Sequence, residues 1–166
     1  MGNFKEKLNK ISTFIFDVDG VFTDGKIYML EHNKFVRGFN IKDGFAVRYA
    51  VQQGYTIAII SGGDSEMVRK RFSDLGIKDI YLNITDKMEA LEDFYFKYNI
   101  DPDSIMFMGD DLPDYDLMRK CGVPTCPSDA AEEIKSVASY ISSFKGGDGC
   151  VRDVIEQVLR SQGKWM

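Results

Sequence analysis

The sequence predicts an α/β fold, a doubly wound, Rossmann-like parallel sheet with helices on both faces and a β-hairpin insertion. Three observations predict it. Five short apolar runs are near-continuous rather than alternating, which suits strands buried on both faces. Segments with helical apolar spacing lie between them, and alternating strands and helices argue a parallel sheet. Polar residues able to do chemistry recur directly after successive runs, as they would along one rim of such a sheet.

The first strand is predicted in "STFIFDV" (12–18), followed by a turn at Gly20. The next stretch breaks the rhythm. "KIYMLEHNKFVRGF" reads as two strands around "EHNK", a hairpin inserted at about 25–38, with His32 exposed in its turn. The first helix follows in "DGFAVRYAVQQG", with Phe45, Tyr49 and Gln52 at helical spacing, Val47, Ala50 and Val51 beside them, and a stop at Gly54.

"YTIAIIS" (55–61) is the second strand. The helix after it, "GDSEMVRKRFSDLG", aligns Met67, Val68, Phe72 and Leu75 and stops at Gly76. "DIYLN" (79–83) is the third strand, and "TDKMEALEDFYFKYN" a helix with Met88, Leu91, Tyr95 and Tyr98 on one stripe. "SIMFMGD" (104–110) is the fourth strand. "LPDYDLMRKCG" opens a helix with Pro113 early, where a missing N–H costs nothing. "VPTC" (123–126) is the weakest strand, and "CVRDVIEQVLRSQ" closes with Val151, Val154, Ile155, Val158 and Leu159 on one face. The Phe, Tyr and Met residues at these spacings are expected in the core.

A chain of 166 residues fits one domain, expected over 1–166, and buries enough surface to need no staples. Hydrophobic residues at 44% and charged residues at 28% are ordinary for a soluble globular protein. A net charge of −5 argues against general nucleic-acid binding. Cys121, Cys126 and Cys150 form no CxxC pair and read as small buried residues in a reducing compartment. "MGNFKEKLNKI" lacks a signal peptide's apolar run, and no stretch reaches the ~20 apolar residues of a membrane span. The expectation is a cytoplasmic protein with no membrane contact.

The chemistry lies at the strand ends. The first strand ends in Asp17-Val18-Asp19-Gly20, the second in Ser61-Gly62-Gly63, and the fourth in Gly109-Asp110-Asp111, followed by Asp114. Lys87 stands near the start of the helix after the third strand. Parallel strands would gather these carboxylates, one hydroxyl and one ammonium on a shared rim. Close carboxylates repel unless a cation or proton intervenes. Oxygen ligands select a hard ion, and Mg²⁺ is the natural occupant. A hydroxyl and a lysine beside Mg²⁺ suit a phosphoryl group, and Gly62 and Gly63 allow close backbone approach at a helix N-terminus, which attracts anions. One carboxylate is then left to attack phosphorus and a second to exchange protons.

"FDVDG", "IISGG", Lys87 and "GDDLPD" resemble, in order, the four motifs of the haloacid dehalogenase superfamily of phosphotransferases. "DVDGVFTDG", the hairpin in place of a cap domain, "NIKDGFAV" and "KGGDGCVRDV" are similar to its small capless subclass, typified by phosphatases of 3-deoxy-D-manno-octulosonate (Kdo) 8-phosphate. The resemblance implies Asp17 as nucleophile and Asp19 as general acid/base with its backbone carbonyl on Mg²⁺. It implies Asp110 and an Asp17 oxygen as metal ligands, and Ser61 and Lys87, with Gly62 and Gly63, around the phosphoryl. Asp111 and Asp114 would sit nearby, through water or as helix caps. Lys42, Arg69 and Arg71 are candidates for the sugar acid's carboxylate. The resemblance also implies a homotetramer built through the hairpins, with a neighbouring subunit helping to close each site.

Asp19 favours a phosphatase within the superfamily, because P-type ATPases carry Thr there and a C–P bond hydrolase carries Ala. Mutases usually need a large cap, for which this chain has no room. A nine-carbon keto-deoxy sugar acid 9-phosphate (KDN or sialic acid type) is the alternative substrate, and Gly63 at the mouth leans towards the eight-carbon acid. A phosphate-accepting signalling module is a further alternative, although its acidic pair would follow the first strand and its phosphorylated Asp come later. An inactive, purely structural relative is the third. Ser61 could also cap the following helix, and Lys70 or Lys78 could rival Lys87. "KGGDGC" lacks the Walker pattern and reads as a flexible segment reaching towards the site.

Overall fold

The structure, a computed structural model, describes residues 4–166; the first three residues, part of the N-terminal stretch read above for a signal peptide, lie outside them. Six strands form one sheet: β1 (Thr13–Phe16), β4 (Thr56–Ile60), β5 (Asp79–Tyr81), β6 (Ile105–Met108), β7 (Val123–Cys126) and β8 (Tyr140–Ile141). Their order is β5-β4-β1-β6-β7-β8, and every pairing is parallel. β2 (Tyr28–Leu30) and β3 (Lys34–Val36) form a separate antiparallel hairpin where the sequence predicts it. His32 and Asn33 make its turn with positive φ, and His32 is exposed.

The near-continuous apolar runs have the reason inferred from them. In β1, Phe14 and Phe16 enter one core and Ile15 the other. The first core packs under α1 (Phe4–Leu8), α2 (Ile41–Gln52), α3 (Glu66–Asp74) and α7 (Cys150–Ser161). The second packs under α4 (Lys87–Tyr98), α5 (Tyr115–Met118) and α6 (Glu132–Val137). Phe72 is fully buried edge-on to Phe22 and Phe39. Burying a side chain of that size stabilises by about 1.5–3 kcal/mol.

Several expectations are corrected. Met67 is 74% exposed, and Phe45 and Tyr98 are exposed as well. The buried face of α2 is made of Ala46, Val47 and Ala50, so Phe45 is left to pack on Tyr49 and Trp165 outside. The fully buried stripe of α4 is Ala90, Leu91 and Phe94; Met88 and Tyr95 are half-buried against the same core, and of the expected stripe only Tyr98 is exposed. The sequence pattern predicts neither α1 nor α6 nor β8, all of them short. The three cysteines are buried and free. No helix among the described residues is long and apolar enough to cross a membrane.

Candidate active site

Register aligns the strand ends. Phe16 lies opposite Ile59 of β4 and Met108 of β6, so the three strands end within a residue of one another, at Phe16, Ile60 and Met108. Asp17 stays tied to the sheet by its N–H, which donates to the Met108 carbonyl at 3.1 Å. The result is a cleft of about 710 Å³ lined by Asp17, Asp19, Ser61, Gly62, Gly63, Lys87 and Asp110. The structure thus brings together seven of the residues singled out in the sequence.

Asp17 is buried, and the Val18 N–H donates to its Oδ1 at 2.6 Å. Its Oδ2 lies 2.9 Å from Lys87 Nζ. Lys87 is the first residue of α4, directly after the N-cap Asp86, so the start of a helix aims it at the rim. Nζ also donates to Asp114 Oδ1 at 2.7 Å. Burial pulls the Lys87 pKa down, but the carboxylates of Asp17 and Asp114 outweigh it and hold the ammonium above its ordinary value. Lys70 pairs instead with Asp74 on the outside of α3.

Oxygens of Asp17, Asp110 and Asp114 lie within 4.8 Å of one another. Burial, then repulsion from Asp114, pushes the Asp17 carboxyl up to about 7. Burial, then Asp17, Asp114 and Asp111, pushes Asp110 up to about 8. Asp114 is committed to Lys87 and to the Asp110 N–H, which donates to its Oδ2 at 3.1 Å. The Asp110 carboxylate receives no protein hydrogen bond among the described residues. A Cβ on Gly20, whose φ is +84°, would fall on that carboxylate, so glycine is required for the first loop to pass Asp110 this closely. An all-oxygen cluster that repels itself fits a hard divalent cation, which the Asp110 carboxylate, without a hydrogen bond of its own among the described residues, and the neighbouring Asp17 carboxylate could hold.

Ser61 is buried, and its Oγ accepts the Gly63 N–H at 3.3 Å. It does not cap the next helix. Ser65 does, accepting from the Val68 N–H, so α3 begins three residues beyond Gly63. Asp111 is exposed and caps the short 3₁₀ turn Leu112–Asp114, with Pro113 inside it.

The structure does not bring Lys42, Arg69 or Arg71 to this cleft within one chain. Arg69 donates to the Ile80 carbonyl at 3.0 Å. Arg71 reaches under α2, against Gly44. Lys42 lines a different cavity with Arg152 and Glu156. "KGGDGC" is packed rather than reaching into the cleft: the Gly147 N–H donates to the Val21 carbonyl at 2.9 Å, behind the loop that carries Asp19.

Arg37 is a cleft-side residue that sequence reasoning missed. Its Nε donates to Asp19 Oδ1 at 2.7 Å and its Nη2 to Oδ2 at 3.2 Å. It follows β3 directly, and no periodicity or motif links it to a residue 18 positions earlier.

A family model for haloacid dehalogenase-like hydrolases matches residues 73–154. The 3-deoxy-D-manno-octulosonate 8-phosphate phosphatase KdsC of Escherichia coli K12 is 36% identical over 95% of this chain and 84% of its own length. The chain belongs to this phosphatase family of the haloacid dehalogenase superfamily. It is a phosphoric monoester hydrolase. The crystal structure of the Yersinia pestis phosphatase superposes with a TM-score of 0.94 at 32% identity, covering 96% of this chain and 86% of that one. The Moraxella catarrhalis phosphatase, solved with magnesium, phosphate and Kdo, superposes with a TM-score of 0.92 at 34% identity, covering 96% and 91%.

Proposed function

We propose that this phosphatase hydrolyses 3-deoxy-D-manno-octulosonate 8-phosphate to Kdo and phosphate through an aspartyl phosphate on Asp17. The observation that carries the reading is the convergence of Asp17, Asp19, Ser61, Lys87 and Asp110 on one cleft. The substrate rests on the relatives, one of which holds magnesium, phosphate and Kdo together.

An Asp17 oxygen attacks phosphorus as the ester P–O bond breaks. The electron pair of that bond goes to the sugar oxygen, which takes a proton from Asp19. Water then attacks phosphorus, its proton passes to Asp19, and the Asp17–phosphorus bond breaks. Ser61 Oγ and Lys87 Nζ hold phosphoryl oxygens, with the backbone at Gly62 and Gly63 beside them. Asp17, Asp110 and the Asp19 carbonyl would hold Mg²⁺, which when bound neutralises charge on the phosphoryl group. The hairpin packs against other copies of the chain, consistent with its exposed apolar residues.

Phosphate release from a panel of eight-carbon and nine-carbon sugar-acid phosphates tests the reading. Magnesium-dependent release strongest on Kdo 8-phosphate, falling to background in Asp17→Asn with the fold retained, is expected. Turnover by Asp17→Asn, or none by the unaltered protein on any monoester, would overturn it.

A further inference from the structure

We propose that Arg37 is a positioning residue that fixes the Asp19 carboxylate in the orientation from which it exchanges protons with the leaving oxygen and with water. The inference rests on the phosphatase reading above and adds to it a residue from the hairpin.

Asp19 sits on a turn at the rim, and its side chain is 31% exposed. Its other side-chain contact is the Thr23 hydroxyl at 3.5 Å, the outer limit of a hydrogen bond. Rotation about its side-chain bonds would cost little if that were all. The planar fork of Arg37 supplies two donors to the two carboxylate oxygens and so defines the plane of the carboxylate as well as its place. Arg37 itself is 12% exposed, held between the first loop and the second. A Cβ on Gly63 would lie 3.4 Å from Asp19 Oδ2 and 3.5 Å from Arg37 Nη2, so the pair rests against the backbone that flanks the phosphoryl site.

A positioned proton donor matters when the leaving oxygen is a poor leaving group. An alkoxide needs the proton as the bond breaks; a nitrophenolate does not. A residue that only stabilises the fold would slow both esters alike.

Arg37→Ala and Arg37→Lys are therefore compared with the unaltered protein on Kdo 8-phosphate and on p-nitrophenyl phosphate, with rapid mixing to resolve the first turnover. For Arg37→Ala, kcat on the sugar phosphate is expected to fall about 10–100-fold, with KM within about twofold. The first-turnover burst of nitrophenolate should stay within about threefold of the unaltered rate. A slow steady state should follow it, because the attack of water still needs Asp19. Arg37→Lys, which donates from a point rather than a fork, should lie between. If Arg37→Ala melts well below the unaltered protein, Arg37→Lys and Arg37→Gln carry the same comparison. Equal slowing of the burst and of the sugar phosphate, a raised KM with unchanged kcat, or no change at all would overturn the role. An unaltered protein inactive on both esters would instead remove the phosphatase reading itself.

Discussion

Asp114 Oδ1 lies 2.7 Å from Lys87 Nζ, in a pair whose side chains are almost wholly out of water. The other Asp114 oxygen takes the N–H of Asp110. One carboxylate thus ties the lysine facing Asp17 to the loop that carries Asp110, and places both without touching the open cleft. Replacing one partner of a buried pair leaves the other poorly compensated. Asp114→Asn keeps an oxygen for one of these bonds but loses the charge opposite Lys87. Lys87 retains Asp17, so the cost in stability is expected at about 1–3 kcal/mol, read from the urea midpoint. A midpoint unchanged from the unaltered protein would show that Asp114 does not anchor the lysine.

Metal binding should depend on pH in a direction set by the raised carboxyls. Asp17 and Asp110 move from 3.8 to about 7 and about 8 without a cation. A carboxyl whose folded pKa is raised contributes stability below its unfolded value and loses it as pH rises through the folded one. The metal-free protein therefore weakens between about pH 4 and pH 8. Mg²⁺ needs both carboxylates ionised, so the stabilisation it adds grows over the same window. The rise in melting temperature on adding millimolar Mg²⁺ should be larger at pH 8 than at pH 6, and small in Asp110→Asn. A larger rise at pH 6 would contradict the assignment of these two carboxylates.

The sheet and the rim were legible because each rests on local pattern. Strands buried on both faces write themselves as unbroken apolar runs; Asp17 and Ser61 stand directly after two of them, and Asp110 one glycine beyond a third. β8 has two residues, too few for any pattern, and it adds to the edge of β7. Phe45 and Met67 misled because helical spacing identifies a stripe without saying which stripe is covered. The contact of α2 with α7 needs small residues, and the large ones face outward. The Arg37–Asp19 pair joins an insertion to the loop after β1, and such a pairing is set by the path of the chain and not by its local composition.

Asp43 offers a separate test, away from the cleft. It is fully buried in α2, accepts the Arg152 N–H at 2.8 Å with one oxygen, and leaves the other without a partner among the described residues. Burial outweighs the backbone hydrogen bonds from Arg152 and Gly149 and pushes its carboxyl from 3.8 up to about 6. Its contribution to stability is complete below about pH 4 and lost as pH rises through about 6. Asp43→Asn should abolish that loss, which amounts to about 2–3 kcal/mol at most. Urea midpoints at pH 4 and pH 7 measure it. A variant that keeps the full pH dependence would place the titration elsewhere.

The hairpin makes the last prediction. Tyr28, Met29 and Leu30 pair with Val36, Phe35 and Lys34, and all six are exposed, so the described residues cover neither face of the ribbon. A two-stranded ribbon by itself is marginal in water. Met29 at 79% and Phe35 at 58% exposure lie directly opposite one another and form the apolar centre of the patch. Deleting residues 26–37 would remove Arg37 with the patch and confuse assembly with catalysis. The double change Met29→Lys and Phe35→Glu keeps a favourable cross-strand pair while charging the patch. Sedimentation of the unaltered protein should give an oligomer, and the double variant a smaller species with its circular dichroism preserved. Monomeric behaviour of the unaltered chain, or an unchanged mass in the variant, would show that the copies do not meet through this ribbon.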